Sequence, residues 1–107
     1  PSRIITPAQL TTSAVTYATA TNASIRIERV TLCNTTAGAI TATVYLVPSA
    51  GSASATNTVI SAKSIGAGAT YNCPELVGHV LGSGETLQAL ASSGASISIR
   101  GSGWIFT

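Results

Sequence analysis

The side chains able to do chemistry are few and far apart along the chain. His79 is the only histidine and no aspartate occurs, so a Ser-His-Asp triad cannot be assembled. A Ser-His-Glu version would have to recruit Glu28, Glu75 or Glu85, and no nucleophile-elbow sequence accompanies it. His79 therefore reads as a histidine on a helical turn beside Gly78. Glu75 and Glu85 could in principle pair as acid and base for glycoside hydrolysis, but two such carboxylates flanking a turn are ordinarily just solvated, and aromatic subsites are scarce. Zinc ligation by Cys33, Cys73 and His79 would need three separate segments to converge, and the Cys33–Cys73 spacing fits no zinc or redox motif. The two cysteines read as buried free thiols in preference to a single bridge, since unpaired Cys is among the most buried residue types. Gly66 and Gly68 lack the third glycine and the following helix of a phosphate-binding loop. The expectation is a non-enzyme with no catalytic residue, no cofactor and no metal.

Composition narrows the class further. With 107 residues the chain has room for one core, because domains most often run to roughly 100–150 residues. Charged residues make up 7% of it, against about 25% in an average soluble protein. Ser and Thr supply the missing polarity, and a chain rich in β-branched residues and poor in charge is the reverse of a disordered one. The net charge of +2 comes from Arg3, Arg26, Arg29, Lys63 and Arg100 against the three glutamates. It reads as too small and too scattered to hold a polyanion, which argues against nucleic acid as a partner. Apolar runs such as residues 44–48 fall far short of the roughly 20 residues of a membrane helix. Pro1 does not suit a translated start and reads as the residue left after removal of an initiator Met; no secretory apolar region is present in the sequence.

The elements that must position these residues are strands. No stretch of a dozen residues repeats apolar positions at helical spacing, and β-branched residues dominate wherever apolar residues cluster. Over residues 40–47 the alternation puts Ile40, Ala42, Val44 and Leu46 on one face, with Thr41, Thr43, Tyr45 and Val47 on the other. Over residues 24–33, Ile25 and Ile27 share a phase that Val30 and Leu32 break, and a β-bulge near Glu28 and Arg29 would restore it. Further strands are expected over 12–19, 58–65, 69–73, 85–91, 95–101 and, after a turn at 101–103, 104–107. One short helical turn is expected from Pro74 towards Leu81, because Pro suits a first helical position and Glu75 the positive end of the dipole. Residues 48–57 form a long loop of small and polar residues. The fold expectation is thus an all-β antiparallel β-sandwich, or a jelly roll, of seven to eight short strands in one domain, residues 12–107.

Ahead of that domain, residues 1–11 carry Ile4, Ile5 and Leu10 among two prolines with no strand period. They read as an arm that docks on a partner, or as a terminus tied down across its own sandwich. Arg26, Glu28 and Arg29 form the densest charge cluster, read either as a solvated edge that blocks strand pairing or as a subunit contact. Trp104 and Phe106 read as core more than as interface anchors. A core of Ala, Val, Ile and Thr buries modest area at each position, and a surface this bare of charge lacks the repulsion that keeps proteins apart. Both features point to a chain that works inside an assembly. Candidate partner-binding residues are Arg3, Ile4, Ile5, Leu10, Arg26, Glu28 and Arg29.

The stretch from Arg29 through Cys33, Asn34 and Ala37 into residues 40–48, followed by 84–92 and 97–101, resembles small β-sandwich virion proteins of tailed bacteriophages. The likeness is a strand-turn pattern over residues 29–103, not a chemical signature, and it assigns no functional residue. It implies a non-enzymatic structural subunit of the virion. The reading it favours is a capsid decoration or cement protein, homo-oligomeric, bound to the major capsid protein. A tail, neck or fibre component is the alternative within that class. A carbohydrate-binding module, with Tyr17, Tyr45, Tyr71 or Trp104 stacking on sugar, is the alternative outside it.

Overall fold

The computed structural model describes residues 2–107. Its strands are β1 (Ser2–Gln9), β2 (Val15–Thr19), β3 (Ser24–Asn34), β4 (Ile40–Val47), β5 (Thr58–Ile65), β6 (Thr70–Tyr71), β7 (Val80–Leu81), β8 (Thr86–Ala91) and β9 (Ile97–Phe106). They form two antiparallel sheets. The first, sheet A, runs β1-β9-β3-β6 with β7 also on β3, and the second, sheet B, runs β2-β8-β4-β5. First strand thus pairs with last, second with next to last, third with β6 and β7, and fourth with fifth: a long hairpin rolled into two layers. That winding is the jelly roll, a form of the expected sandwich.

The pleat explains which residues face the interior. Ala42 and Val44 of β4 are buried in the core and Ile40 and Leu46 pack against it half-buried, as their alternation predicts. The phase fails at the end of the strand, where Val47, expected on the opposite face, is buried after a register shift between Val44 and Tyr45. In β3 the register shifts between Ile27 and Arg29, so Glu28 is the extra residue and Ile25, Ile27, Val30 and Leu32 all turn inward. A second bulge, which the periodicity did not reveal, lies in β5. Ile60 and Ile65 are both buried although they stand at positions of opposite parity, and Ala62 takes up the difference in the left-handed region at φ 45°. Its N–H donates to Thr43 Oγ1 at 3.0 Å.

Four expectations are corrected. Of the two readings of residues 1–11 the docking arm is the one corrected: the described residues are tied down across the chain's own sandwich as edge strand β1 on β9, with Ile5 and Leu10 in the core. Pro7 misleads because an edge strand tolerates a proline: the register skips between Ile5 and Ala8, leaving Pro7 outside the ladder. The strands expected at 95–101 and 104–107 are one continuous β9. The turn expected there is absent because Gly101 and Gly103 let β9 lie close over the β3 bulge. A Cβ on Gly103 would strike the Arg26 carbonyl oxygen, and one on Gly101 would sit 2.9 Å from Ile5 Cδ1. The helical turn is a 3-10 turn confined to Pro74–Leu76, after which β7 begins. Finally, besides the Ala, Val and Ile expected, the core holds five leucines, Leu10, Leu32, Leu76, Leu81 and Leu87, where threonine was expected in preference to leucine, and no threonine is buried among the described residues.

One buried polar side chain ties the layers together. Asn34, at the end of β3, donates through Nδ2 to the Gly38 carbonyl at 2.8 Å and to the Ile65 carbonyl at 2.8 Å. Its Oδ1 accepts from the Thr36 N–H at 2.9 Å and from the Thr36 hydroxyl at 2.7 Å. The amide therefore shapes the β3–β4 turn and joins sheet A to β5 of sheet B.

Candidate functional site

The groups able to do catalysis stay apart. His79 and Glu85 both line a concavity of about 270 Å³ with Thr56 and Thr58. Glu85 there accepts the Gly82 N–H and the Thr58 hydroxyl donates to the Ser54 carbonyl, so neither bonds to His79. Glu75 sits elsewhere, on the 3-10 turn, and accepts the Tyr71 hydroxyl. That bond holds Glu75 below the usual carboxylate range, while partial burial and the same bond push the Tyr71 phenol up to about 12. Lys63 reaches across from β5 to place Nζ 5.0 Å from the Tyr71 ring centroid. Both cysteines are free. Burial, with the Glu75 charge adding to it, pushes the Cys73 thiol up to about 12, which leaves it little thiolate character. No group of three His, Cys or Glu with the spacing of a metal site occurs among the described residues. No helix among them is long and apolar enough to cross a membrane.

The distinctive surface is the outer face of sheet A. Along β9 the pleat alternates Ile97 and Ile99 inward with Arg100, Ser102, Trp104 and Phe106 outward. The pairing of β3 with both β9 and β7 puts Trp104, Arg26 and Val80 in one cross-strand row. Trp104 is 45% exposed, Ile105 46%, Phe106 57%, Val77 54% and Val80 57%. These side chains make one end of sheet A apolar. Arg26, Glu28, Val77 and Trp104 line a concavity of about 170 Å³ there. At the other end, Arg3, Arg29 and Arg100 line a concavity of about 350 Å³.

The sequence-based candidates therefore separate into three groups. Arg3 and Arg29 meet in one concavity, and Arg26 and Glu28 in another. Ile5 and Leu10 are core and unavailable to a partner while the fold is intact, and Ile4 is half-buried against that core. Their apolar character was read correctly, but what they pack against is this chain's own sandwich. Trp104 and Phe106 are corrected in the opposite sense, from core to surface. Arg100, Val77 and Val80 were missed as site residues. The signal for Arg100, Trp104 and Phe106 was present as an unbroken alternation from Ile97 onwards, hidden by reading residues 101–103 as a turn. The four aromatics considered for sugar stacking do not gather: Tyr17 and Tyr45 belong to sheet B, Tyr71 to the far edge of sheet A, and no tyrosine lines the Trp104 concavity.

Comparison with known proteins finds no matching protein-family model, no matching curated protein and no matching solved structure.

Proposed function

We propose that this chain is a non-enzymatic structural subunit of a bacteriophage virion, a decoration protein that docks on the capsid shell and stabilises it. The observation that carries this reading is the apolar end of sheet A, where Trp104 and Phe106 stand exposed beside Val77 and Val80. Large apolar side chains gathered at one place on a small domain are what an interface core requires, and Trp is the residue type most enriched at binding hot spots. The low charge of the chain supports burial against neighbours. The strand-turn resemblance to virion proteins supports the phage setting. The jelly roll agrees with it without deciding it, because that winding also serves lectin domains.

Cryo-electron microscopy of particles made by the phage that encodes the chain tests the proposal. The expected result is jelly-roll density repeated over the capsid shell, with Trp104 and Phe106 against the shell protein. Finding the chain only on the tail, or on no particle, overturns it. A glycan array run on the purified chain tests the carbohydrate alternative, and selective binding there would count against the capsid reading.

A further inference from the structure

Four arginines occur in the chain, and all of them stand on sheet A. Three meet. Ser102 of β9 is the register partner of Arg3 on one side and of Arg29 on the other, so Arg3, Ser102 and Arg29 form a single cross-strand row. Arg100 lies two residues along β9 on the same face and is paired with Thr31. With neighbouring strands about 4.8 Å apart, the Arg3 and Arg29 backbones stand roughly 10 Å from each other across a small serine. The bulge at Glu28 is what turns Arg29 outward into this row.

The result is a concavity of about 350 Å³ lined by three guanidinium groups and by the hydroxyl residues Ser2, Thr31 and Ser102. No carboxylate lines it. Glu28 lines the neighbouring concavity, Glu75 is bonded to Tyr71 and Glu85 to the Gly82 N–H. Every polar side chain at the rim can donate a hydrogen bond, and three positive charges share the one concavity. Guanidinium forks match the paired oxygens of phosphate and sulfate, and donors around a small residue leave room for the anion between them.

We propose that the concavity between Arg3, Arg29 and Arg100 is a binding site for a doubly charged tetrahedral oxyanion, a phosphate or sulfate group. Three cations favour a dianion over a monovalent carboxylate of similar size. The site stands on the arginine geometry alone and does not depend on the virion reading, so the purified chain suffices to test it.

The test is an NMR titration of the labelled protein with inorganic phosphate and with sulfate, chloride being exchanged to keep ionic strength constant. Saturable shifts are expected at Arg3, Arg29, Arg100 and Ser102, while Arg26 and the strands of sheet B stay still. Acetate should bind more weakly than phosphate. Arg100→Gln should weaken phosphate binding about tenfold, the worth of one hydrogen bond to an ionised group, and Arg26→Gln should leave it unchanged. Arg100→Lys, which keeps the charge but not the fork, should fall between wild type and Arg100→Gln. Glycerol phosphate separates the sources: tighter binding than inorganic phosphate assigns the site to a phosphate ester on a larger molecule, and weaker binding to the free ion. Shifts that never saturate, acetate binding as tightly as phosphate, or equal loss in Arg26→Gln would each overturn the proposal.

Discussion

The two outer faces of this sandwich are built differently. On sheet B, strands β2, β4 and β8 contain no charged residue, and the outward positions of β4 and β8 are Thr41, Thr43, Tyr45, Thr86, Gln88 and Leu90. Sheet A carries every arginine, one glutamate and the exposed aromatics of β9. The inner faces are alike, both being aliphatic. What the contrast teaches is that the fold is maintained by both layers alike while the arginines and exposed aromatics are concentrated on one. The bulge at Glu28, closed over by Gly103, lies between the cationic and apolar ends of that face and sets the phase of both.

The bulge is therefore where the contrast breaks most easily. Gly103→Ala drives a methyl into the Arg26 carbonyl and is expected to cost about 3 kcal/mol, at the upper end for overpacking. Gly38→Ala, whose Cβ meets nothing within 4 Å, should change stability by no more than about 0.5 kcal/mol. Urea denaturation of the two variants measures both. Asn34→Ala removes the bond between the layers and leaves the Ile65 carbonyl and the Thr36 N–H without their partner. It should cost about 2 kcal/mol by the same measurement, the range for buried groups left unsatisfied.

Surface substitutions sharpen the difference between the faces. Trp104→Ser and Phe106→Ser should each cost about 1 kcal/mol or less, because these side chains are already half-exposed. Together they should abolish co-sedimentation with capsids. Leu90→Ser, the matched apolar change on sheet B, should leave co-sedimentation intact.

The smallest expected effect is at Tyr71 and Glu75. Glu75 is held low in the fold, so its contribution to stability is present at neutral pH and fades as pH falls through its lowered value. Tyr71 is held high, so its contribution is complete below the phenol's ordinary value near 10 and is lost as pH rises through about 12. Phenolate absorbance should show one tyrosine titrating near 12, and Glu75→Gln should bring it down.

Legibility in the sequence followed a single rule: what depended on local alternation could be read, and what depended on neighbours could not. The phase break between Ile27 and Val30 announced the β3 bulge because two apolar pairs demanded the same face. The equivalent shift at Ala62 escaped notice because Ser61, Ala62 and Lys63 give no apolar marker between Ile60 and Ile65. Gly101 and Gly103 looked like a turn because a glycine required by close approach of another strand is indistinguishable, in sequence, from one required by its own backbone angles. The arginines looked scattered because positions 3, 29 and 100 are remote in sequence. Only the β1-β9-β3 pairing makes them neighbours.

The chain alone determined that this is a two-layered β protein with an aliphatic core and little charge, since period, β-branched content and composition are properties of the string of residues. Which strands pair, and therefore which side chains share a face, was decided by tertiary structure, because β1 pairs with β9 and β2 with β8 from opposite ends of the chain. The apolar end and the three-arginine concavity of sheet A exist for that reason: each is a row across strands, and a row across strands has no counterpart in the order of residues.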